Sequence, residues 1–164
     1  MFRIANDHAQ RHSGKYAWVG ICIGCVAVFE GYSPKMYYDS VHVPTICYGA
    51  TKADGVDLTK VYTKQQCEDM LGKDLPKYDA PLQVCIKKEV YDALPPYRHA
   101  ALVSLAYNIG TSAVCNSSVV RDLNRGDVKA ACDDFLKFNR AGGRVLQGLV
   151  NRREAERKMC LQED

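Results

Sequence analysis

The apolar positions of this chain fall into blocks with different periods. Residues 16–29, Y-A-W-V-G-I-C-I-G-C-V-A-V-F, carry no charge. A run of that length is short for a bilayer span. It suits a buried core helix or the apolar part of a signal sequence. Ahead of it, residues 1–15 are polar and mildly basic and read as a flexible N-terminal segment. Residues 36–62 change character. M-Y-Y-D and T-I-C-Y-G are aromatic and β-branched, with turn residues between Ser40 and Pro44, which predicts short strands. A-D-G at 53–55 is a further turn. From residue 63 the period becomes helical. T-K-Q-Q at 63–66 is a capping box, with Cys67, Met70 and Leu71 on one face behind it. Pro76 and Pro81 are expected to kink or end that helix. After Pro95 and Pro96, the residues Leu102, Leu105, Ala106 and Ile109 recur at helical offsets, and Gly110 stops the run. A short helix follows through Val119, Val120 and Leu123. Asp127 then caps one that turns Val128, Ala131, Cys132, Phe135 and Leu136 inward. Gly142 and Gly143 mark a loop, and a charged helix spans roughly residues 150–160. A buried helix, a small β region at 36–62 and a mostly helical remainder at 63–164 argue an α+β domain over 16–164.

Composition narrows the class. The chain has 164 residues, 47% hydrophobic and 25% charged, so it can build one ordinary globular core. The net charge of +3 is too mild to argue for nucleic acid, and a weak positive field suits an anionic polymer such as a bacterial cell wall. The eight cysteines, at 22, 25, 47, 67, 85, 115, 132 and 160, change the picture more. An even, high count points to an oxidising compartment. Cys22 and Cys25 form a single C-x-x-C with no second pair and no neighbouring histidine, so no metal site is expected. The pairing cannot be read from the count.

The chemistry concentrates between Glu30 and Gly49, in E-G-Y-S-P-K-M-Y-Y-D-S-V-H-V-P-T-I-C-Y-G. Glu30 ends the apolar run. A carboxyl at the end of a buried helix is desolvated, which favours its protonated form. Asp39 follows two tyrosines and precedes a serine, a more polar setting in which it stays ionised. An acid, a second carboxylate and a hydroxyl at Thr45 are what glycoside hydrolysis needs. The acid protonates the leaving oxygen. The second carboxylate activates a water, stabilises the oxocarbenium-like transition state or attacks.

The context F-E-G, then Y-x-D, then T-x-x-Y-G resembles the phage-type lysozymes, the endolysins of glycoside hydrolase family 24. The resemblance continues in A-L-V-S-L-A-Y-N-I-G at 101–110, in S-S-V-V-R-D-L-N-R-G-D at 117–127 and in A-G-G-R-V-L-Q-G-L-V-N-R-R-E-A-E-R at 141–157. It implies a lysozyme-like fold with a cleft between the lobes. The implied activity is cleavage of the β-1,4 bond between N-acetylmuramic acid and N-acetylglucosamine, which lyses the host cell. Glu30, Asp39 and Thr45 fall on the catalytic positions. Arg152 falls where the family has an arginine that pairs with the acid. Tyr107 and Asn108 are read as cleft residues that contact sugar. The resemblance also suggests bridges from Cys47 to Cys67 and from Cys132 to Cys160. It implies no cofactor and no nucleic acid, a monomer, and peptidoglycan glycan strands as partner.

Some members of that family carry an uncleaved N-terminal segment that anchors in the inner membrane and is later released. Gly20 and Gly24 within 16–29 fit such a segment, although the same residues must form the helix ahead of Glu30. The expected place of action is the host periplasm and cell wall, reached by release of that anchor or through a holin. The chain departs from the family at His42, where relatives often have glycine, and at Ala50, where they often have histidine. Two rivals stay open. One is a non-catalytic wall-binding accessory of the same fold. The other is a transglycosylase or chitinase, which dispenses with the second carboxylate or uses the substrate's N-acetyl group.

Overall fold

The computed structural model describes residues 16–39 and 42–163. Helix α1 spans Ala17–Glu30 and leads into a three-stranded antiparallel sheet, β1 (Ser33–Tyr38), β2 (Pro44–Cys47) and β3 (Ala50–Thr51), in that spatial order. A 3₁₀ turn at Lys52–Asp54 follows. The helical part comprises α2 (Lys64–Asp74), α3 (Pro76–Cys85), α4 (Lys88–Asp92), α5 (Pro96–Ile109), α6 (Thr111–Cys115), α7 (Ser118–Asn124) and α8 (Val128–Asp133). A small hairpin, β4 (Arg140–Ala141) with β5 (Arg144–Val145), precedes α9 (Gln147–Cys160). This is the expected α+β arrangement, mostly helical with a small β lobe.

α5 forms the middle of the helical lobe. Every residue from His99 to Ala106 is buried, because α1, α3 and α9 all pack against this helix. The uncharged sequence of α1 has the same cause: eight of its 14 residues are buried, around most of its circumference. Each fully buried Ile, Val or Leu side chain contributes about 1.5–3 kcal/mol relative to exposure. Gly72 of α2 lets α1 approach, since a Cβ there would lie 3.1 Å from the Ile23 side chain. At the other end of α1, Trp18 stacks on His99 with ring centroids 4.5 Å apart. His99 Nε2 lies 2.7 Å from Asp79 Oδ1, and the Tyr91 hydroxyl donates to Asp79 Oδ2 at 2.7 Å. Among the described residues no helix is long and apolar enough to cross a membrane.

Three disulfides tie these layers. Cys47–Cys67 joins β2 to α2, and Cys132–Cys160 joins α8 to the end of α9. Both pairs match the expectation. A third, Cys85–Cys115, links the ends of α3 and α6 and was not expected. Cys22 and Cys25 on α1 remain free thiols.

The capping box holds as read: the Thr63 side chain accepts from Gln66 N and the Gln66 side chain accepts from Thr63 N. Asp127 likewise caps α8 by accepting from Ala130 N. Other details differ. The sheet begins at Ser33, not at 36. Pro76 opens α3 at its first position, where a missing N–H costs nothing, and Pro81 lies inside that helix. Leu136 is 37% exposed, because the α8 period tightens into a 3₁₀ turn at Asp134–Lys137 and rotates it outward. Gly142 and Gly143, with φ of 56° and 76°, form the two-residue turn of the β4–β5 hairpin. The last helix starts at Gln147, three residues earlier than expected. The segment 1–15, expected to be flexible, and Ser40 and Val41, expected in a turn, lie outside the described residues.

Candidate active site

Glu30 is the last residue of α1. Gly31, at φ 75° and ψ 145°, then turns the chain out into β1, so the carboxyl is delivered at the point where the two lobes meet. Its side chain is 28% exposed and receives a hydrogen bond from Arg152 Nη1 to Oε1 at 2.6 Å. The surroundings of Glu30 are therefore less apolar than the preceding V-A-V-F suggested. Arg152 lies in the second turn of α9, is 3% exposed, and has its guanidinium 5.4 Å from the Phe29 ring centroid. Its remaining donors are also used: Nε donates to Glu156 Oε1 at 3.0 Å and Nη2 to the Ser104 carbonyl at 3.4 Å.

Asp39 and Thr45 sit on the β1–β2 hairpin and share one partner that the sequence did not reveal, the backbone of Val43. The Val43 N–H donates to Asp39 Oδ1 at 2.8 Å. The Val43 carbonyl accepts from Asp39 N at 3.1 Å and from Thr45 Oγ1 at 2.9 Å. Thr45 is buried at 3% exposure and pairs with Tyr37 across the strands. Its hydroxyl gives its proton to Val43 and keeps its lone pairs as acceptors. His42 closes the same turn at φ 62°, a conformation in which glycine is the easier residue. Its N–H donates to the Asp39 carbonyl at 3.0 Å.

Burial pushes the Tyr37 phenol up, and the charges of Glu30 and Asp39 push it further the same way. Burial also raises the Tyr107 phenol, with Glu30 the next cause. The Tyr107 hydroxyl donates to the Tyr48 carbonyl at 2.6 Å and so pins α5 to the β lobe. Its ring lies 4.9 Å from that of Tyr78. A cavity of about 330 Å³ opens between the β lobe and α2, α3 and α5, lined by Tyr48, Gly49, Val56, Tyr62, Tyr78 and Tyr107 among others. Glu30 and Asp39 are not in its lining.

Asn108 accepts from Arg153 Nη2 at 2.9 Å through its side-chain oxygen. That leaves its amide N–H₂ as the part available to a ligand. Arg153, Glu156 and Ser104 were not singled out from the sequence. Arg153 and Glu156 lie in the charged string N-R-R-E-A-E, yet both are 0% exposed. The available signal was spacing: Glu156 lies four residues after Arg152 and three after Arg153, so all three meet on one face.

Solved structures place this architecture. The chain superimposes on a variant of P22 lysozyme with a TM-score of 0.76 at 32% identity, covering 86% of this chain and 95% of that one. It also matches the endolysin of Escherichia coli O157:H7 phage FAHEc1 with a TM-score of 0.74 at 30% identity, over 85% and 90% of the two chains. The fold is that of a lysozyme, and the protein is a glycoside hydrolase of that kind. The family model for phage lysozyme matches residues 27–156, and the chain belongs to the phage lysozyme family. It is 40% identical over 132 residues to a SAR-endolysin of Enterobacteria phage P21, covering 80% of this chain and 77% of that protein.

Proposed function

We propose that this lysozyme hydrolyses the β-1,4 bond between N-acetylmuramic acid and N-acetylglucosamine of bacterial peptidoglycan, using Glu30, Asp39 and Thr45. The observation that supports the reading is that Arg152 holds Glu30 at the end of α1, just ahead of the β1–β2 hairpin in which Val43 clips Asp39 and Thr45 together. Arg152 holds Oε1 of Glu30 and fixes its rotamer. Oε2 is then the oxygen that carries the proton to the leaving glycosidic oxygen. Asp39, held by the Val43 N–H, faces the developing oxocarbenium charge or takes a proton from water. Thr45 Oγ1 accepts a hydrogen bond from the water's other O–H, which aims a water lone pair at the anomeric carbon. Tyr107 and the neighbouring tyrosines offer stacking faces to sugar rings, and the Asn108 amide offers a donor. A second carboxylate in the cleft favours hydrolysis over transglycosylation. The test is turbidity loss of permeabilised cells with Glu30→Gln, which loses about 10²–10⁴-fold in rate with an unchanged circular dichroism spectrum. Near wild-type lysis by that variant would sink the assignment.

The same reading extends to where the enzyme acts. Several relatives are named SAR-endolysins, and α1 is uncharged up to Phe29 and contains Gly20 and Gly24. We propose transient inner-membrane association of residues 16–29, followed by action in the host periplasm. A segment in the bilayer cannot also present Glu30 beside Asp39, so membrane residence keeps the enzyme inactive. Expression in a bacterium without a holin tests this. Full-length protein found first in membranes and later in the periplasm, with gradual lysis, supports it. Protein confined to the cytoplasm until permeabilisation rejects it, and the holin route then stands.

A further inference from the structure

We propose that Glu156 is a positioning residue for the reaction: one fully buried carboxylate sets both the guanidinium that holds Glu30 and the guanidinium that holds Asn108. This rests on the reading of Glu30 as the acid. Oε1 of Glu156 accepts from Arg152 Nε at 3.0 Å, from Ser104 Oγ at 2.6 Å and from Arg153 Nη2 at 3.3 Å. Oε2 lies 2.9 Å from Arg153 Nε, close enough to pair as charges but out of line for a hydrogen bond. Beyond this point the two arginines diverge. Arg152 extends Nη1 to Glu30 at 2.6 Å, and Arg153 extends Nη2 to Asn108 at 2.9 Å.

The geometry explains why an arginine alone would not suffice. Glu30 and, at a longer 3.4 Å, the Ser104 carbonyl hold only the terminal nitrogens of Arg152. Fixing Nε as well orients the plane, and Nη1 then has one direction. Arg152 and Arg153 are adjacent and buried at 3% and 0% exposure, so their charges repel inside the lobe. Glu156 pairs with both of them. Ser104 on α5 gives its single proton to Glu156, so the Cys25 thiol is the donor in the 3.6 Å Cys25–Ser104 contact. A chain of polar contacts therefore runs from α1 through α5 to α9 and returns to the end of α1 at Glu30. A fully buried ion pair is a poor stabiliser against an apolar replacement of equal volume. Its distinctive effect here is orientation.

The experiment compares Glu156→Gln with wild type on soluble, uncrosslinked glycan strands, per folded molecule. A misplacement near 1 Å costs on the order of 10²-fold. The expected result is a fall in kcat of about 10–100-fold with KM moving by less than about twofold. The Arg152 Nε–H signal in ¹⁵N-edited spectra should also exchange faster with solvent. A wild-type kcat with an unchanged Arg152 signal overturns the proposal. If the Gln variant does not fold, Ser104→Ala is read instead, since it removes one of the three bonds to Oε1. It should lower kcat in the same direction, and an unchanged kcat overturns the proposal equally. Glu30→Gln is measured in parallel. Activity retained there defeats the assignment of Glu30 itself. Activity lost there, with normal kcat in Glu156→Gln, defeats only this inference.

Discussion

Arg152 meets three differently placed acceptors at once: Glu30 through Nη1, Glu156 through Nε and the Ser104 carbonyl through Nη2. A lysine keeps the charge but has no planar fork to serve them all. Arg152→Lys is therefore expected to lose about 10–100-fold in rate while remaining folded, checked by turbidimetry beside circular dichroism. Retained activity would show that charge alone is enough. Thr45 makes a complementary case. Thr45→Val keeps the β-branched shape and removes the hydroxyl bonded to Val43, for about 1 kcal/mol of stability by denaturant melt. The account predicts a far larger loss of rate than of stability, and the reverse would make Thr45 a purely structural residue. At this scale the sequence singled out Glu30, Asp39 and Thr45 through their spacing. It was silent on Val43, which acts through its backbone. It was silent on Glu156 too, because only the fold shows which face of a charged helix is covered.

The elements explain both the success and the limits of reading periods. α1 and α5 were legible because long apolar runs admit few alternatives, and α2 because its capping box is local chemistry. The β4–β5 hairpin was not, since two-residue polar strands leave no alternating pattern around Gly142 and Gly143. The third disulfide was not, because its partners are brought together only by the packing of α3 on α6. Its loop of 30 residues should contribute about 3–4 kcal/mol in the chain-entropy model. Cys85→Ala with Cys115→Ala should lose that much in denaturant melts, and no change in midpoint would contradict it. The free thiols of α1 give a pH prediction. Burial is the main cause that raises both, Cys25 from 9.0 to about 11. Thiols that titrate higher in the folded state than in the unfolded one stabilise fully below 9.0, and that contribution is lost as pH rises toward about 11. Thermal midpoints should therefore fall across that interval, and Cys22→Ser with Cys25→Ser should flatten the fall. An equal fall in the double variant would place the alkaline transition elsewhere.

For the whole molecule, the lobes meet where Tyr107 on α5 reaches the Tyr48 carbonyl and where Arg152 on α9 reaches Glu30. The tyrosine-lined cavity lies beside that junction. The lysozyme fold was legible because its motifs are spread over most of the chain, and the frame they imply is the one observed. The cavity was not legible, since it needs the β lobe and three helices brought together. The central claim is that this frame hydrolyses the glycan with Glu30 as acid and water as acceptor. Mass spectrometry of the ends released from peptidoglycan in ¹⁸O-labelled water tests it most directly. The account predicts reducing N-acetylmuramic ends carrying one ¹⁸O, produced by the wild-type enzyme and absent with Glu30→Gln. Anhydro-muramic ends without label, or labelled ends from Glu30→Gln at the wild-type rate, would contradict it.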